Sequence, residues 1–147
     1  HPLGGGDYTP PSPTPRVRIL GSDLVPDVTP LLPAMDALVT DYSSLVYDAG
    51  LVPLPTLFLA PDVERYARTR GFYGTYGEVA GDDAARSWPE LCSQLDELLA
   101  GGPETDRRRR RSAELSLRMH AWRDGGNARR VHEAIVAAVP EAAGERS

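Results

Sequence analysis

The clearest hydrophobic pattern in the chain is a pair of short apolar runs separated by a helical segment. Ala37-Leu38-Val39 predicts a short strand, Ser43 to Leu51 predicts a helix, and Pro55 to Ala60 predicts a second, buried strand. Links this short between a strand, a helix and a strand imply that the two strands are parallel and joined by a right-handed crossover. This central block therefore predicts an α/β fold, with a parallel sheet flanked by helices.

The first 35 residues show weaker patterns. Gly and Pro crowd the segment from Gly4 to Pro15 and predict a loop, because neither residue suits a helix or a central strand. Arg16 to Leu20 alternates polar and apolar residues and predicts a short strand. Asp27 to Met35 allows at most two helical turns, since Pro33 would break a longer helix. This composition and a first residue other than Met lead us to expect a piece of a longer chain.

The second half of the chain is predicted to be helical. Ser87-Trp88-Pro89-Glu90 has the spacing of a capping box at a helix start. The apolar stripe of that helix consists of Leu91, Leu95, Leu98 and Leu99. Two more helices are predicted, from about Thr105 to Trp122 and from Asn127 to Val139. We expect one domain over residues 1–139, followed by a polar tail over residues 140–147.

Composition excludes several classes of function. A chain of 147 residues with 41% apolar and 25% charged residues suits one soluble domain. The net charge of -5 argues against general nucleic-acid binding. Cys92 is the only cysteine, and the histidines lack a carboxylate at metal-ligand spacing, so no metal site is predicted. No apolar run reaches the roughly 20 residues that span a bilayer, and no signal peptide is recognisable, so we expect a cytoplasmic location.

The turn from Thr40 to Ser44 is the strongest candidate for a ligand site. Open α/β sheets bind ligands where strands end and helices begin, and the first N–H groups of a helix attract anions. The hydroxyls of Ser43 and Ser44 would complete a cradle for a diphosphate. Asp48 lies one helical turn beyond Ser44 on the same face, within reach of an attached sugar. Alternatively, the serines only cap the helix and Asp48 is a solvated residue.

The residues around this turn also resemble a known family. Asp36 to Asp48 reads DALVTDYSSLVYD and is similar to the "D-x-L-I-T-D-Y-S-S-x-x-F-D" signature of the CDP-glycerol glycerophosphotransferases that build teichoic-acid chains. Further similar segments follow in the family's order: Pro55 to Phe58, Asp62 to Tyr66, Arg70 to Tyr73 and Asp124 to Val131. The step His1-Pro2 also resembles one that precedes the signature. The likeness thus touches nearly the whole chain.

The resemblance implies a GT-B fold, with two Rossmann-like domains and the donor bound mainly by the C-terminal one. This chain would be the greater part of that C-terminal domain, incomplete on its N-terminal side. The implied activity transfers glycerol phosphate from CDP-glycerol to a polyol-phosphate acceptor. We predict no cofactor beyond the substrate CDP-glycerol and leave a metal requirement open. Alternatives are another nucleotide-activated sugar or polyol, or a non-catalytic nucleotide-binding domain. The family's general base is attributed to a His in the N-terminal domain, which lies outside this chain.

The resemblance also assigns roles to residues. Thr40, Ser43, Ser44 and Arg70 would hold the donor diphosphate, although Arg70 could instead anchor a loop. Asp48 stands seven positions before Pro55, as does the acidic residue that binds ribose in related glycosyltransferases. His1 would act in catalysis, by contacting the donor phosphates or by helping the glycerol phosphate leave CMP. Further candidates for donor contact are Asp41, Tyr42 and Arg130, although Arg130, like Arg70, could instead anchor a loop.

Two other features carry open alternatives. The run Arg107 to Arg111 could contact an anionic membrane surface or a polyanionic acceptor, or it could form a solvated helix face. Contact with an anionic membrane surface would place the protein at the inner face of the cell membrane. Aromatic residues that could stack on cytosine or merely pack are Tyr66, Phe72, Tyr73 and Tyr76. After Tyr76 the chain departs from the family, which usually has a Gly-Pro element there; this departure leaves the exact donor open.

Overall fold

The computed structural model describes Ser12 and residues 14–139. His1, most of the predicted N-terminal loop and the predicted tail lie outside the described residues. The described elements are a 3-10 helix Thr29–Ala34, β1 Leu38–Thr40, α1 Leu45–Ala49, β2 Thr56–Phe58, α2 Val63–Thr69, α3 Tyr76–Ala80, α4 Trp88–Ala100, α5 Pro103–Met119 and α6 Asn127–Ala138. This part of the chain is therefore helix-rich, with a small sheet, and belongs to the α/β class.

The sheet is parallel, as the central block predicts. β1 pairs with β2 so that Leu38 lies opposite Thr56 and Thr40 lies opposite Phe58. All three residues of β2 are buried, which explains why this strand reads as a continuous apolar run. The pairing extends by one parallel bridge beyond β2, because Ala85 accepts a hydrogen bond from the N–H of Ala60 at 2.8 Å and donates to the carbonyl of Phe58 at 2.8 Å.

The prediction of a strand from Arg16 to Leu20 is wrong. These residues form a turn and irregular backbone, and Val17, Ile19 and Leu20 are each about half exposed. Alternation of polar and apolar residues produces a strand only where a neighbouring strand can supply hydrogen bonds and a core can cover one face. Within the described residues, neither surrounds this segment.

Close packing between α1 and α5 fixes the position of the turn that precedes α1. Gly50 follows α1 and lies against the buried residues Ser112 and Ser116 of α5. A Cβ on Gly50 would lie only 2.5 Å from the Ser116 Cβ and would collide with the Ser112 carbonyl. Among the described residues, the buried apolar side chains form three clusters, which contain Phe58, Leu57 and Leu32, respectively.

The second half of the chain forms the three predicted long helices, with two local differences. Leu99 is 60% exposed, so the buried stripe of α4 is narrower than predicted and rests on Leu91 and Leu98. Ser87 accepts a hydrogen bond from the Glu90 N–H, but the Glu90 carboxylate binds the Arg86 N–H at 2.7 Å, so the predicted capping box is only half formed.

A complete capping box begins α3 instead. The Thr75 side chain caps the helix, and the Glu78 carboxylate accepts a hydrogen bond from the Thr75 N–H at 2.9 Å. This box holds the short helix that carries Tyr76 and Val79. None of the helices in the described ranges has both the length and the hydropathy needed to cross a bilayer.

Candidate functional site

A cavity of about 550 Å³ opens beside the turn between β1 and α1. Its lining comes from this turn, from the end of α2 and the loop after it, and from α3. Five of the predicted site residues line it: Asp41, Tyr42, Ser43, Ser44 and Arg70. The fold therefore brings the two serines and an arginine, distant in sequence, to one concave surface.

The two serines differ in their local hydrogen bonds. The Ser43 hydroxyl accepts a hydrogen bond from the Leu45 N–H at 3.3 Å, which leaves its O–H proton free to donate to a ligand. Ser44 occupies the N-cap position of α1 without a side-chain capping bond, and it is exposed. Because α1 has only five residues, its dipole is weak, and the serine hydroxyls matter more than the helix itself.

Arg70 supplies the positive charge of the cavity. It follows α2 as its C-cap residue, and its exposed side chain forms no ion pair with any described carboxylate. No other described residue of the cavity lining is a Lys or Arg. An unpaired guanidinium can donate two parallel hydrogen bonds to a phosphate, which suits an anionic ligand between Arg70 and the serines.

Aromatic rings form one wall of the cavity. Tyr42 stacks on Tyr66 with ring centroids 4.0 Å apart, and Phe72 stacks on Tyr76 with centroids 5.4 Å apart. Tyr66 also stacks on Phe72, so each of these rings packs against other rings of the wall. The packing interpretation therefore holds for these residues, whereas Tyr73 is fully exposed at the cavity rim.

Two tyrosine hydroxyls in this wall are hydrogen-bond donors to acidic or carbonyl oxygens. Tyr42 Oη donates to Asp62 Oδ1 at 2.7 Å, and Tyr76 Oη donates to the Asp41 carbonyl at 3.0 Å. Burial, with the Asp41 charge, raises the pKa of Tyr76 to about 12. Burial and the hydrogen bond to Asp62 also raise the pKa of Tyr42. Both phenols stay protonated at neutral pH, so neither serves as a general base.

Three predicted site residues lie away from the cavity lining. Thr40 ends β1 and does not line the cavity. The Asp48 carboxylate lies 3.9 Å from His120 Nε2, at the α5 side of α1. Arg130 forms two contacts with the Asp124 carboxylate, at 2.8 and 2.5 Å, and lies over the Trp122 ring. In this structure, Arg130 therefore anchors the loop before α6.

The arginine run of α5 has a structural role that the sequence did not reveal. Arg107 and Arg108 both pair with the Asp83 carboxylate, and Arg108 is only 5% exposed. Arg108 also donates to the Thr56 carbonyl at 3.3 Å, beneath β2. The interpretation as a solvated face is therefore wrong for Arg108. The adjacent acids Asp82-Asp83 were the available signal, because a buried arginine needs a carboxylate.

The described residues contain no group of three or more His, Cys, Asp or Glu side chains that could hold a metal ion. The cavity lining offers serine hydroxyls, the Arg70 guanidinium, the acidic residue Asp41 and a wall of aromatic rings. Groups of this kind suit a phosphorylated ligand that has a planar or apolar part.

Over residues 1–137, the chain matches the protein family described as CDP-Glycerol:Poly(glycerophosphate) glycerophosphotransferase. It is 45% identical to a teichoic acid glycerol-phosphate transferase of Staphylococcus aureus over 73 residues, which are 49% of this chain and 19% of that protein. It is 36% identical to a teichoic acid ribitol-phosphate polymerase of Staphylococcus aureus over 70 residues, 48% of this chain and 12% of that protein.

A third relative is a teichoic acid poly(glycerol phosphate) polymerase of Bacillus subtilis, 32% identical over 73 residues, 49% of this chain and 10% of that protein. The matched segments thus span less than a fifth of the length of these relatives. No solved structure matches the chain.

Proposed function

Since the chain belongs to the CDP-glycerol:poly(glycerophosphate) glycerophosphotransferase family, we propose that it forms the donor-binding part of an enzyme that transfers glycerol phosphate from CDP-glycerol to a polyol-phosphate chain. The observation that carries this proposal is the meeting of Ser43, Ser44 and Arg70 at one cavity of about 550 Å³. Hydroxyls and a guanidinium that line one cavity suit a diphosphate, and the volume suits a nucleotide-sized ligand.

The reaction is a phosphoryl transfer. The acceptor hydroxyl oxygen attacks the phosphorus that carries glycerol, a new P–O bond forms, and the P–O bond to CMP breaks. The negative charge passes to CMP, and the hydroxyl proton passes to a base outside the described residues. Arg70 and the serine hydroxyls would stabilise the charge on the leaving phosphate, which is the main requirement in this chemistry. We assign His1 to the same phosphates.

Within the proposed enzyme, the chain would be one wall of a two-domain cleft of the GT-B type. The cavity would form this chain's side of the cleft, and the general base would come from the other domain. The 147 residues alone are therefore expected to bind the donor without turning it over.

Asp48 is proposed to bind the ribose of the donor. It follows Ser44 by four residues and so lies one turn along α1 from the diphosphate site. Its carboxylate is 42% exposed and approaches His120 only to 3.9 Å, which is too long for a hydrogen bond. The side chain is thus free to turn toward a ribose. Thr40 would contribute through its position at the end of β1, next to Asp41.

Ribitol is the second candidate for the polyol, because relatives that match this chain are named as ribitol-phosphate polymerases. CDP-glycerol and the cytidine diphosphate conjugate of ribitol share the nucleotide and the diphosphate, so both would use the serines and Arg70. A thermal-shift panel that adds UDP and GDP conjugates tests the cytidine requirement. Equal stabilisation by all three nucleotides would remove the assignment to this donor class.

The cavity itself is tested by calorimetry with CMP and CDP-glycerol. We expect the double substitution Ser43→Ala, Ser44→Ala to weaken CDP-glycerol binding by roughly tenfold or more, because two donors to charged oxygens are lost. Ser93→Ala, on the exposed face of α4, is the matched control. Arg70→Ala should weaken CDP-glycerol binding, whereas Arg68→Ala, exposed on α2, should not. Unchanged binding in the double serine variant would exclude this cavity as the donor site.

A further inference from the structure

A second concave surface lies on the other side of α3. A groove of about 700 Å³ runs between α3 and α5, and its lining is strongly charged. The lining residues are Glu78, Arg107, Arg110, Arg111, Glu114, Leu117 and Arg118. The four arginines come from one helix, at spacings that place them along the same side of α5.

The guanidinium groups of Arg111 and Arg118 are held in place by backbone carbonyls. Arg111 Nε donates to the Val79 carbonyl at 3.2 Å, and Arg118 donates to the Glu78 carbonyl at 3.0 Å. A carbonyl oxygen orients a guanidinium without cancelling its charge, unlike a carboxylate. Arg118 is therefore an oriented cation, and Arg111 is a second one whose carboxylate neighbour, Asp83, lies 3.8 Å away.

Arg110 adds a third cation, and the acids of the groove do not neutralise it. Arg110 is exposed and forms no ion pair with any described carboxylate. The Glu78 carboxylate is engaged in the capping box with the Thr75 N–H. Glu114 forms no ion pair with a described residue either, and Arg107 is already paired with Asp83 and Glu104. Among the described residues, Arg110 and Arg118 thus have no paired carboxylate, Arg111 has only the distant Asp83, and Glu114 is the one unpaired acid of the groove.

The groove and the cavity share a wall. Tyr76 and Val79 line the cavity, whereas Glu78 of the same helix lines the groove. An α-helix with its side chains is about 10 Å thick. A polyanionic chain whose end reaches the cavity could therefore lay its following phosphates along α5.

We propose that this groove binds phosphates of the growing polyol-phosphate chain, through Arg110, Arg111 and Arg118. The assignment rests on the proposed function, because it takes the acceptor of that reaction as the ligand. It goes beyond that function by giving the acceptor a contact surface on the donor-binding chain, separate from the donor cavity.

The test is fluorescence anisotropy with a labelled short synthetic poly(glycerol phosphate) oligomer and the 147-residue chain. We expect Arg110→Ala with Arg118→Ala to raise the oligomer Kd by roughly tenfold, since two charge-assisted contacts are lost. Arg110→Lys should retain most of the affinity, because it keeps the charge. Arg109→Ala is the matched control, since Arg109 is exposed, adjacent in the run and absent from the groove. Arg110→Glu provides a second variant if the double substitution fails to fold.

CMP binding, measured by calorimetry on the same variants, separates this proposal from the proposed function. CMP affinity should stay unchanged in the Arg110 and Arg118 variants. Normal CMP binding with no oligomer binding, or an equal loss in the Arg109 control, would overturn the groove alone. Absence of CMP binding would overturn the proposed donor site. The groove proposal would then still be decided by the oligomer measurement. The groove proposal would also be overturned if the chain bound RNA or anionic vesicles through the same arginines but did not bind the oligomer.

Discussion

Asp83 is the carboxylate on which the packing of α5 against the sheet depends. It pairs with Arg107, with Arg108 at 2.8 Å, and more distantly with Arg111 at 3.8 Å. Arg108 is the critical partner, because its side chain is 5% exposed and lies beneath β2. The substitution Asp83→Asn keeps the size of the side chain and removes its charge, so it leaves a buried cation short of one carboxylate.

The expected loss of stability follows from burial. Breaking a fully buried ion pair by removing one partner costs about 3–5 kcal/mol. Two observations reduce this figure: Asp83 is 29% exposed, and Glu104 Oε1 remains 2.7 Å from Arg108 Nε, although without hydrogen-bond alignment. We therefore expect Asp83→Asn to lower the free energy of unfolding by about 2 kcal/mol.

The pH dependence of stability gives an independent check. Burial alone raises the pKa of Asp83, but the hydrogen bond from Arg107 and the charges of Arg108 and Arg107 outweigh it, so the pKa lies below its ordinary value. A carboxyl with a lowered folded-state pKa stabilises the fold above its unfolded pKa of about 4 and loses that contribution as the pH falls through the folded value. In Asp83→Asn this part of the acid destabilisation should disappear.

The measurement is urea unfolding followed by far-UV circular dichroism, at neutral pH and at several acidic values. Asp82→Asn is the matched control, because Asp82 is adjacent and exposed and forms no ion pair within the described ranges. Equal stabilities of the two variants, within about 0.5 kcal/mol, would refute the role of Asp83 as the partner of a buried cation.

Two further predictions concern packing and the cavity wall. Gly50→Ala should lower the free energy of unfolding by about 1–3 kcal/mol, since the new Cβ would collide with α5. Gly77→Ala is the control, because its new Cβ would meet no neighbouring atom within 4 Å, and it should be nearly neutral in urea unfolding. Tyr76→Phe removes the hydrogen bond to the Asp41 carbonyl and should cost about 1 kcal/mol in the same assay. Because the pKa of Tyr76 is raised to about 12, its contribution is present below pH 10.0 and lost as the pH rises toward 12; the Phe variant should lack this alkaline loss. An identical alkaline slope in both proteins would contradict that assignment.

The sequence predicted the sheet and the turn because their signals are local. Two short apolar runs flanking a helical segment leave a parallel pair as the simplest arrangement, and the pair is present between Leu38–Thr40 and Thr56–Phe58. The prediction of a strand at Arg16 to Leu20 was wrong because a local pattern is not enough to form a strand. Its pattern is equally local, but a strand needs a neighbour, and the sequence of the segment does not encode one.

The candidate site was predictable only where residues are close in sequence. Ser43 and Ser44 were predicted from their position between a strand and a helix. Arg70 was predicted only from the family resemblance, and it lies at the cavity because it follows the end of α2. The Asp48 carboxylate lies 3.9 Å from His120, more than 70 residues away in sequence, and no local pattern encodes that approach. The aromatic wall was not predictable for the same reason, because Tyr42 and Tyr66 are distant in sequence and stack only in the folded chain.

The arginine run of α5 shows how one charged segment can have two functions. Successive residues on a helix are rotated by about 100°, so Arg108 points beneath β2 while Arg110 points into the groove and Arg109 points away from it. A charge-to-alanine scan of the run should therefore separate into two classes. Substitution of Arg108 should lower the free energy of unfolding and leave the oligomer affinity of the folded fraction unchanged. Substitution of Arg110 should weaken oligomer binding and leave the free energy of unfolding unchanged. Parallel losses of stability and oligomer affinity at both positions would mean that the run acts as one undivided charged face.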